Sequence, residues 1–213
     1  MRTTAWISSL LLILWTATVA APDLVPIVLP PPQTEGGKPL MQALRLRASS
    51  REFAPDPLPP QTLSNLLWAA WGINRPDSGK RTAPSARNWQ EVDVYAVLEQ
   101  GVYLYDAVAH QLKPVAAGDH RAAATRQEFA RVAPVTLVLV ADRTRMKDAP
   151  ADQVEIYAAA DAAFISQNIY LYCASEGLAT GVRASVDKAA LTRSMRLAET
   201  QLVTFAQSVG YPK

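Results

Sequence analysis

The chain has 213 residues, 49% of them hydrophobic, and a formal net charge of +2. That length and apolar content suit one domain with a substantial core rather than two typical domains. So small a net charge gives no support for a nucleic-acid or general polyanion binder, and any anion site has to be local.

The first twenty residues read as a signal peptide. Arg2 gives a short positive start, "AWISSLLLILWTATVA" is the apolar stretch, and small residues close it near Ala20 and Ala21. Loss of Arg2 with the leader takes the charge from +2 to +1. The competing reading is an uncleaved membrane anchor. The apolar run falls short of the ~20 residues that span a bilayer, and Pro22 ends it. The expectation is an exported protein, periplasmic or secreted, with no membrane span once the leader is cleaved. Residues 21–39 form a Pro-rich arm, with five prolines in "PDLVPIVLPPPQTEGGK". Its interleaved Leu, Val and Ile suggest packing on a surface such as a partner subunit's.

Residues 40–213 make the domain. "LMQALRLRAS", 40–49, has a short helical pattern with Leu40, Ala43 and Leu44 on one face. A strong helix follows over 61–74, with Leu63, Leu66, Leu67, Ala70 and Trp71 as its stripe and Gly72 near its end. Residues 75–90 read as loop. "VDVYAVLE" and "VYLYD" flank Gln100-Gly101 as a β-hairpin, and "QLKPV" extends it. A helix is expected over 119–131, and "VTLVLVAD" is a buried strand. The longest helix covers 151–177 and is apolar on more than one side, so it belongs at the centre. "LATGVRASV" is strand or loop. A short helix follows with Asp187 as N-cap, and "TQLVTFAQSVGYP" closes the chain as a strand. The fold class is α+β, a mostly antiparallel or mixed sheet flanked by helices.

Little here suggests metal or nucleophile chemistry. Cys173 is the single cysteine and falls in the apolar helix pattern, where a thiol is buried and inert. His110 and His120 have no second ligand at useful spacing, so no metal site is expected. No nucleophile-elbow glycine pattern accompanies them.

Three stretches remain. Arg47, Ser49 and Arg51 place two guanidiniums at i and i+4 around a hydroxyl, which suits a phosphate and equally suits a solvated helix end. In "TAPSARNWQ" the turn at Pro84 and Ser85 precedes Asn88 and Gln90, whose amides could read the edge of a planar heterocycle or simply face water. At "ASEGLATG" a helix ends on Glu176 and Gly177, where backbone N–H groups could meet a ligand or form a plain glycine cap.

Together and in this order, these stretches resemble the FMN-dependent nitroreductases, a family that includes the dehydrogenases of azoline-containing peptides. "RASSREF" is similar to the family's opening phosphate signature and "APSARNWQ" to its isoalloxazine-contacting segment. "AAFISQNIYLYCASEGLAT" is similar to its long helix and following loop, and "SVGYP" to its last core strand. The resemblance spans roughly 40–213. It implies an intertwined homodimer with two FMN sites at the interface. Arg47, Ser49 and Arg51 would bind the FMN phosphate, Pro84, Ser85, Asn88 and Gln90 would contact the ring, and backbone at Glu176 or Gly177 would approach N5 and O4. The family's basic pair after the last strand is replaced here by Lys213 alone. The continuation Arg-Asn-Trp-Gln after Pro-Ser-Ala departs from the azoline branch.

The implied activity is hydride transfer through flavin N5 from a donor such as NAD(P)H to a nitroaromatic, quinone or similar acceptor, with no catalytic side chain assigned. Because NAD(P)H is scarce outside the cytoplasm, export points to another donor. A dehydrogenase of a small molecule or peptide and a non-catalytic flavin binder are the alternatives.

Overall fold

A computed structural model describes residues 24–213; the leader expected over 1–20 and the start of the arm lie outside the described residues. In chain order the arm gives a two-residue strand β1 (Ile27–Val28), followed by helices α1 (Leu40–Leu46) and α2 (Pro60–Trp71). A small hairpin of β2 (Ile73–Arg75) and β3 (Lys80–Arg81) comes next. Strands β4 (Val92–Val97), β5 (Gly101–Asp106) and β6 (Gln111–Ala117) lead to a one-turn helix α3 (Glu128–Arg131) and strand β7 (Val135–Asp142). The long helix α4 (Val154–Glu176), strand β8 (Ala179–Arg183), helix α5 (Lys188–Ser194) and strand β9 (Gln201–Gly210) complete the domain.

Seven strands form one sheet in the order β1-β6-β5-β4-β7-β9-β8, with every pair antiparallel. Successive side chains of a strand point to opposite faces. On one face Val94 and Ala96 of β4 and Leu137 and Leu139 of β7 meet Leu66 and Leu67 of α2 and Ile165, Ile169 and Cys173 of α4. On the other, Tyr95, Val97, Val138 and Val140 meet Leu191 of α5, Met195 and Val203. The central strand β7 is therefore buried from Val135 to Ala141, which explains its unbroken apolar run. Full burial of each such side chain stabilises by about 1.5–3 kcal/mol.

A buried polar network fastens α4 to the sheet edge. The Ser166 hydroxyl donates to Gln207 Oε1 at 2.7 Å, Gln207 Nε2 donates to Thr180 Oγ1 at 3.0 Å, and Thr180 Oγ1 donates to Ser208 O at 2.9 Å. Arg183 Nη2 reaches Ser208 Oγ at 2.9 Å, and burial pushes the Arg183 guanidinium down to about 10. A network so fully partnered fixes one packing of helix on strand.

Several expectations are corrected. The described part of the arm lies on its own domain: β1 pairs with β6, Leu29 is buried, and the Ser64 hydroxyl donates to Pro30 O. Helix α1 stops at Leu46 rather than running to Ser49, because the chain is taken up by the edge of β8, where Ser50 N donates to Thr180 O. The 75–90 loop contains the β2–β3 hairpin. The turn between β4 and β5 is Glu99-Gln100, closed by paired bonds between Leu98 and Gly101. Over 119–131 only Glu128–Arg131 is helical. Asp119 accepts from Arg121 N and Thr125 Oγ1 accepts from Gln127 N, and such local bonds compete with a helix. Helix α2 ends at Trp71 because Gly72 turns to extended backbone, with φ −70 and ψ 166, while its N–H still donates to Trp68 O. Asp187 does cap α5, accepting from Ala190 N at 2.9 Å.

Candidate functional site

The segment after α1 owes its geometry to leaving the helix. Arg47 has φ −54 and ψ 118, outside the helical region. In extended chain, residues two apart share a face. Arg47 and Ser49 accordingly both meet Tyr170 of α4: the Arg47 guanidinium carbon lies 5.3 Å from the ring centre, and Ser49 Oγ is 2.7 Å from the hydroxyl. Arg51 follows at the next alternate position and is exposed. The interleaved Leu46, Ala48 and Ser50 line a pocket of about 340 Å³ that Lys38, Gly177 and Pro212 also border. The structure thus brings Arg47 and Ser49 together at Tyr170, while Arg51 stands at a bend where Ser50 Oγ accepts from Glu52 N.

Tyr170 organises this corner. Its hydroxyl also accepts from Val182 N at 3.1 Å on the outer edge of β8. Sequence reading gave it no role, although it stands inside the quoted "SQNIYLY" stretch.

The second group forms on the 84–90 loop. Arg87, Asn88 and Gln90 all have left-handed φ, at 49°, 56° and 49°. Ser85 Oγ accepts from Gln90 N at 3.0 Å, and Gln90 Nε2 donates to Asn88 Oδ1 at 3.2 Å. Pro84, Ser85, Asn88 and Gln90 all border one pocket of about 210 Å³, together with Arg75, Lys80 and Arg81. Arg81 Nε donates to Gln90 Oε1 at 2.8 Å, and the Arg81 guanidinium lies over Trp71 at 4.8 Å. The loop is anchored on the first half of α4, where Ala86 N donates to Asp161 Oδ2 at 2.8 Å and Trp89 meets Tyr157 edge-on at 5.4 Å.

Beneath the loop sits a buried acid pair that the sequence reading missed. Glu91 is fully buried, its carboxylate oxygens have no hydrogen-bond partner among the described residues, and Asp161 is 2% exposed. Burial pushes Glu91 up to about 7, the neighbouring Asp161 carboxyl adds to this, and Arg145 pulls the other way. Arg145 is itself committed to Asp93 at 2.7 Å and Gln90 O at 2.9 Å. The available signal was an Asp set among alanines in "AAADAAF".

Glu176 and Gly177 end α4 as expected, with Gly177 left-handed at φ 73°. The Gly177 and Leu178 N–H groups both donate to Cys173 O. In this arrangement those donors close the helix, so a ligand here competes with the cap. Glu176 Oε1 accepts from the Ser175 hydroxyl at 3.0 Å. Lys213 is exposed and adjoins Pro212, which borders the 340 Å³ pocket.

One chain does not unite the two groups. Asp161, under the loop, precedes Tyr170, under the arginine row, by nine residues, or about 13 Å of helix rise.

The profile of the nitroreductase family matches residues 44–211. An inferred nitroreductase of Methanocaldococcus jannaschii is 31% identical over 151 residues, covering 66% of this chain and 76% of that protein. The crystal structure of an inferred nitroreductase from Ralstonia eutropha superposes with a TM-score of 0.84 at 42% identity, covering 88% of this chain and 90% of the other. An inferred nitroreductase of Desulfovibrio desulfuricans, solved in complex with FMN, shares the fold at a TM-score of 0.60 and 21% identity, covering 83% and 88% of the two chains. With the antiparallel sheet, the long central helix and the ordered motifs all in register, the chain belongs to the nitroreductase family.

Proposed function

We propose that this chain is an exported FMN-dependent oxidoreductase that works as a homodimer. It would pass hydride from a reduced donor such as NAD(P)H to a nitroaromatic, quinone or similar small acceptor. FMN, when bound, supplies the redox centre at N5. The observation that carries the reading is the Arg47, Ser49, Arg51 row. Among the described residues neither arginine has a carboxylate partner, whereas Arg121 and Arg131 each have one and Arg145 has two. Two uncompensated guanidiniums and a hydroxyl within five residues fit a phosphate, which takes charge-assisted and bidentate bonds. Lys213 would add a further cation.

The ring would lie against Pro84, Ser85, Asn88 and Gln90, whose amides are already fixed in place by the left-handed loop. Glu176 and Gly177 would offer backbone beside it. A second copy of the chain completes the site in this reading, bringing the loop of one protomer to the arginine row of the other. Its docking would also cover the apolar residues left outside, among them Met41 (76% exposed), Ile156 (66%) and Phe164 (49%). The FMN bound by the Desulfovibrio desulfuricans protein of the same fold supports the cofactor.

The visible spectrum of the purified mature protein tests this. A flavin spectrum bleached by dithionite, followed by NADH oxidation with a quinone or nitroaromatic, is the expected result. A colourless protein that takes up no added FMN defeats it. Fractionation of cells checks export: recovery outside the cytoplasm would call for a physiological donor other than NAD(P)H, with NAD(P)H serving as the donor in the assay.

A further inference from the structure

Both ends of the 84–90 loop are tied to groups that surround one buried acid. At its start Ala86 N donates to Asp161 Oδ2 at 2.8 Å, and at its end Gln90 O accepts from Arg145 Nη1 at 2.9 Å. Glu91, the next residue, is fully buried and has both anchors as its charged neighbours. Neither Glu91 oxygen has a hydrogen-bond partner among the described residues, and Arg145 Nε has none either. A carboxylate left in that state is costly. A protonated carboxyl can instead donate to Asp161, which lies within hydrogen-bonding reach and keeps Oδ2 for Ala86. The other charges close by are engaged elsewhere or absent. Arg145 pairs with Asp93 of β4 and Asp142 of β7, and Arg87 of the loop lies over Trp89. Helix α2, which packs beside α4, carries no ionisable side chain. The loop depends on its anchors, because Arg87, Asn88 and Gln90 all sit in the left-handed region, which non-glycine residues keep only where the surroundings enforce it.

Resting on the flavin reading above, we propose that Glu91 is a positioning residue of the flavin site: it shares one proton with Asp161, and that proton holds the 84–90 loop in the shape the ring requires. Below about pH 7 the pair carries a single negative charge and both anchors stand. Above it the proton leaves to water, two carboxylates face each other, and Arg145 is drawn from Gln90 O toward Glu91. A ring bound by the positioned loop favours the protonated pair, so FMN binding takes up a proton.

The test titrates the apoprotein with FMN at pH 6 and at pH 8, followed by flavin fluorescence, in the wild type and in Glu91→Gln. The amide donates to Asp161 as the protonated acid does and has no proton to lose in this range. Across the interval Kd rises about tenfold more in the wild type than in the variant, as expected for a group titrating near 7 that must be protonated in the complex. The FMN phosphate, which titrates at about 6, changes alike in both proteins and cancels, as does His110. An equal pH dependence overturns the proposal. If the wild type binds no FMN, the flavin reading fails by itself, and amide hydrogen exchange of the apoprotein judges the loop. Protection of the Ala86 N–H that falls from pH 6 to pH 8 in the wild type and holds in Glu91→Gln supports the positioning role; equal change in both overturns it. Should the variant not fold, infrared difference spectra of the wild type decide. A protonated-carboxyl band that disappears with a midpoint near pH 7 supports the shared proton, and its absence at pH 6 overturns it.

Discussion

Replacing Glu91 by Gln should remove the pH dependence that this buried acid imposes on stability. Glu91 is fully enclosed, lies beside Asp161, and has no hydrogen-bond partner among the described residues for either oxygen. Burial raises it from an ordinary 4.5 to about 7. The folded state therefore holds the proton more tightly than the unfolded state. The associated stability is fully present below pH 4.5 and is lost as pH climbs through about 7. At about 1.4 kcal/mol per unit, that interval corresponds to roughly 3 kcal/mol. Gln is nearly isosteric with the neutral acid and does not titrate. Urea unfolding of both proteins, followed by tryptophan fluorescence from pH 5 to pH 8, isolates the effect as a difference. His110, which burial holds below its ordinary range, titrates alike in both and cancels. The variant should gain on the wild type by roughly 3 kcal/mol across the series. A gap that stays constant with pH refutes the reasoning. Because Asp161 also holds Ala86 N, alkaline pH should loosen the 84–90 loop in the wild type first.

Two further outcomes follow from the arginine row. Arg47→Ala with Arg51→Ala should weaken FMN binding strongly, since each charge-assisted hydrogen bond lost is worth about 1.5–3 kcal/mol; flavin titration of the apoprotein reads it, and unchanged affinity would remove the phosphate assignment. Tyr170→Phe strips the partner from Ser49 and from Val182 N. It should cost about 1 kcal/mol in thermal unfolding and lower FMN affinity several-fold, the second effect being absent if Ser49 needs no positioning.

Much of the domain is determined locally. The period-two runs of β4, β5 and β9, the unbroken run of β7 and the long apolar stretch of α4 each dictate their own element, because burial on one face or two leaves its period in the sequence. The motif residues were equally legible, since arginines and amides at fixed spacing name their chemistry wherever they lie. Geometry was not. That Arg47 and Ser49 meet at Tyr170 on extended chain, rather than on a helix, depends on Ser50 bonding to Thr180, a partner 130 residues away. The role of Tyr170 depends on the same edge. The Glu91–Asp161 pair exists because β4 and α4 pack face to face, and an acid's environment is a property of that packing, not of its neighbours in the chain. The separation of the two motif groups along α4 is likewise a tertiary fact. Order along the chain specified which residues matter; only the packing of α4 between sheet and surface decided which of them meet.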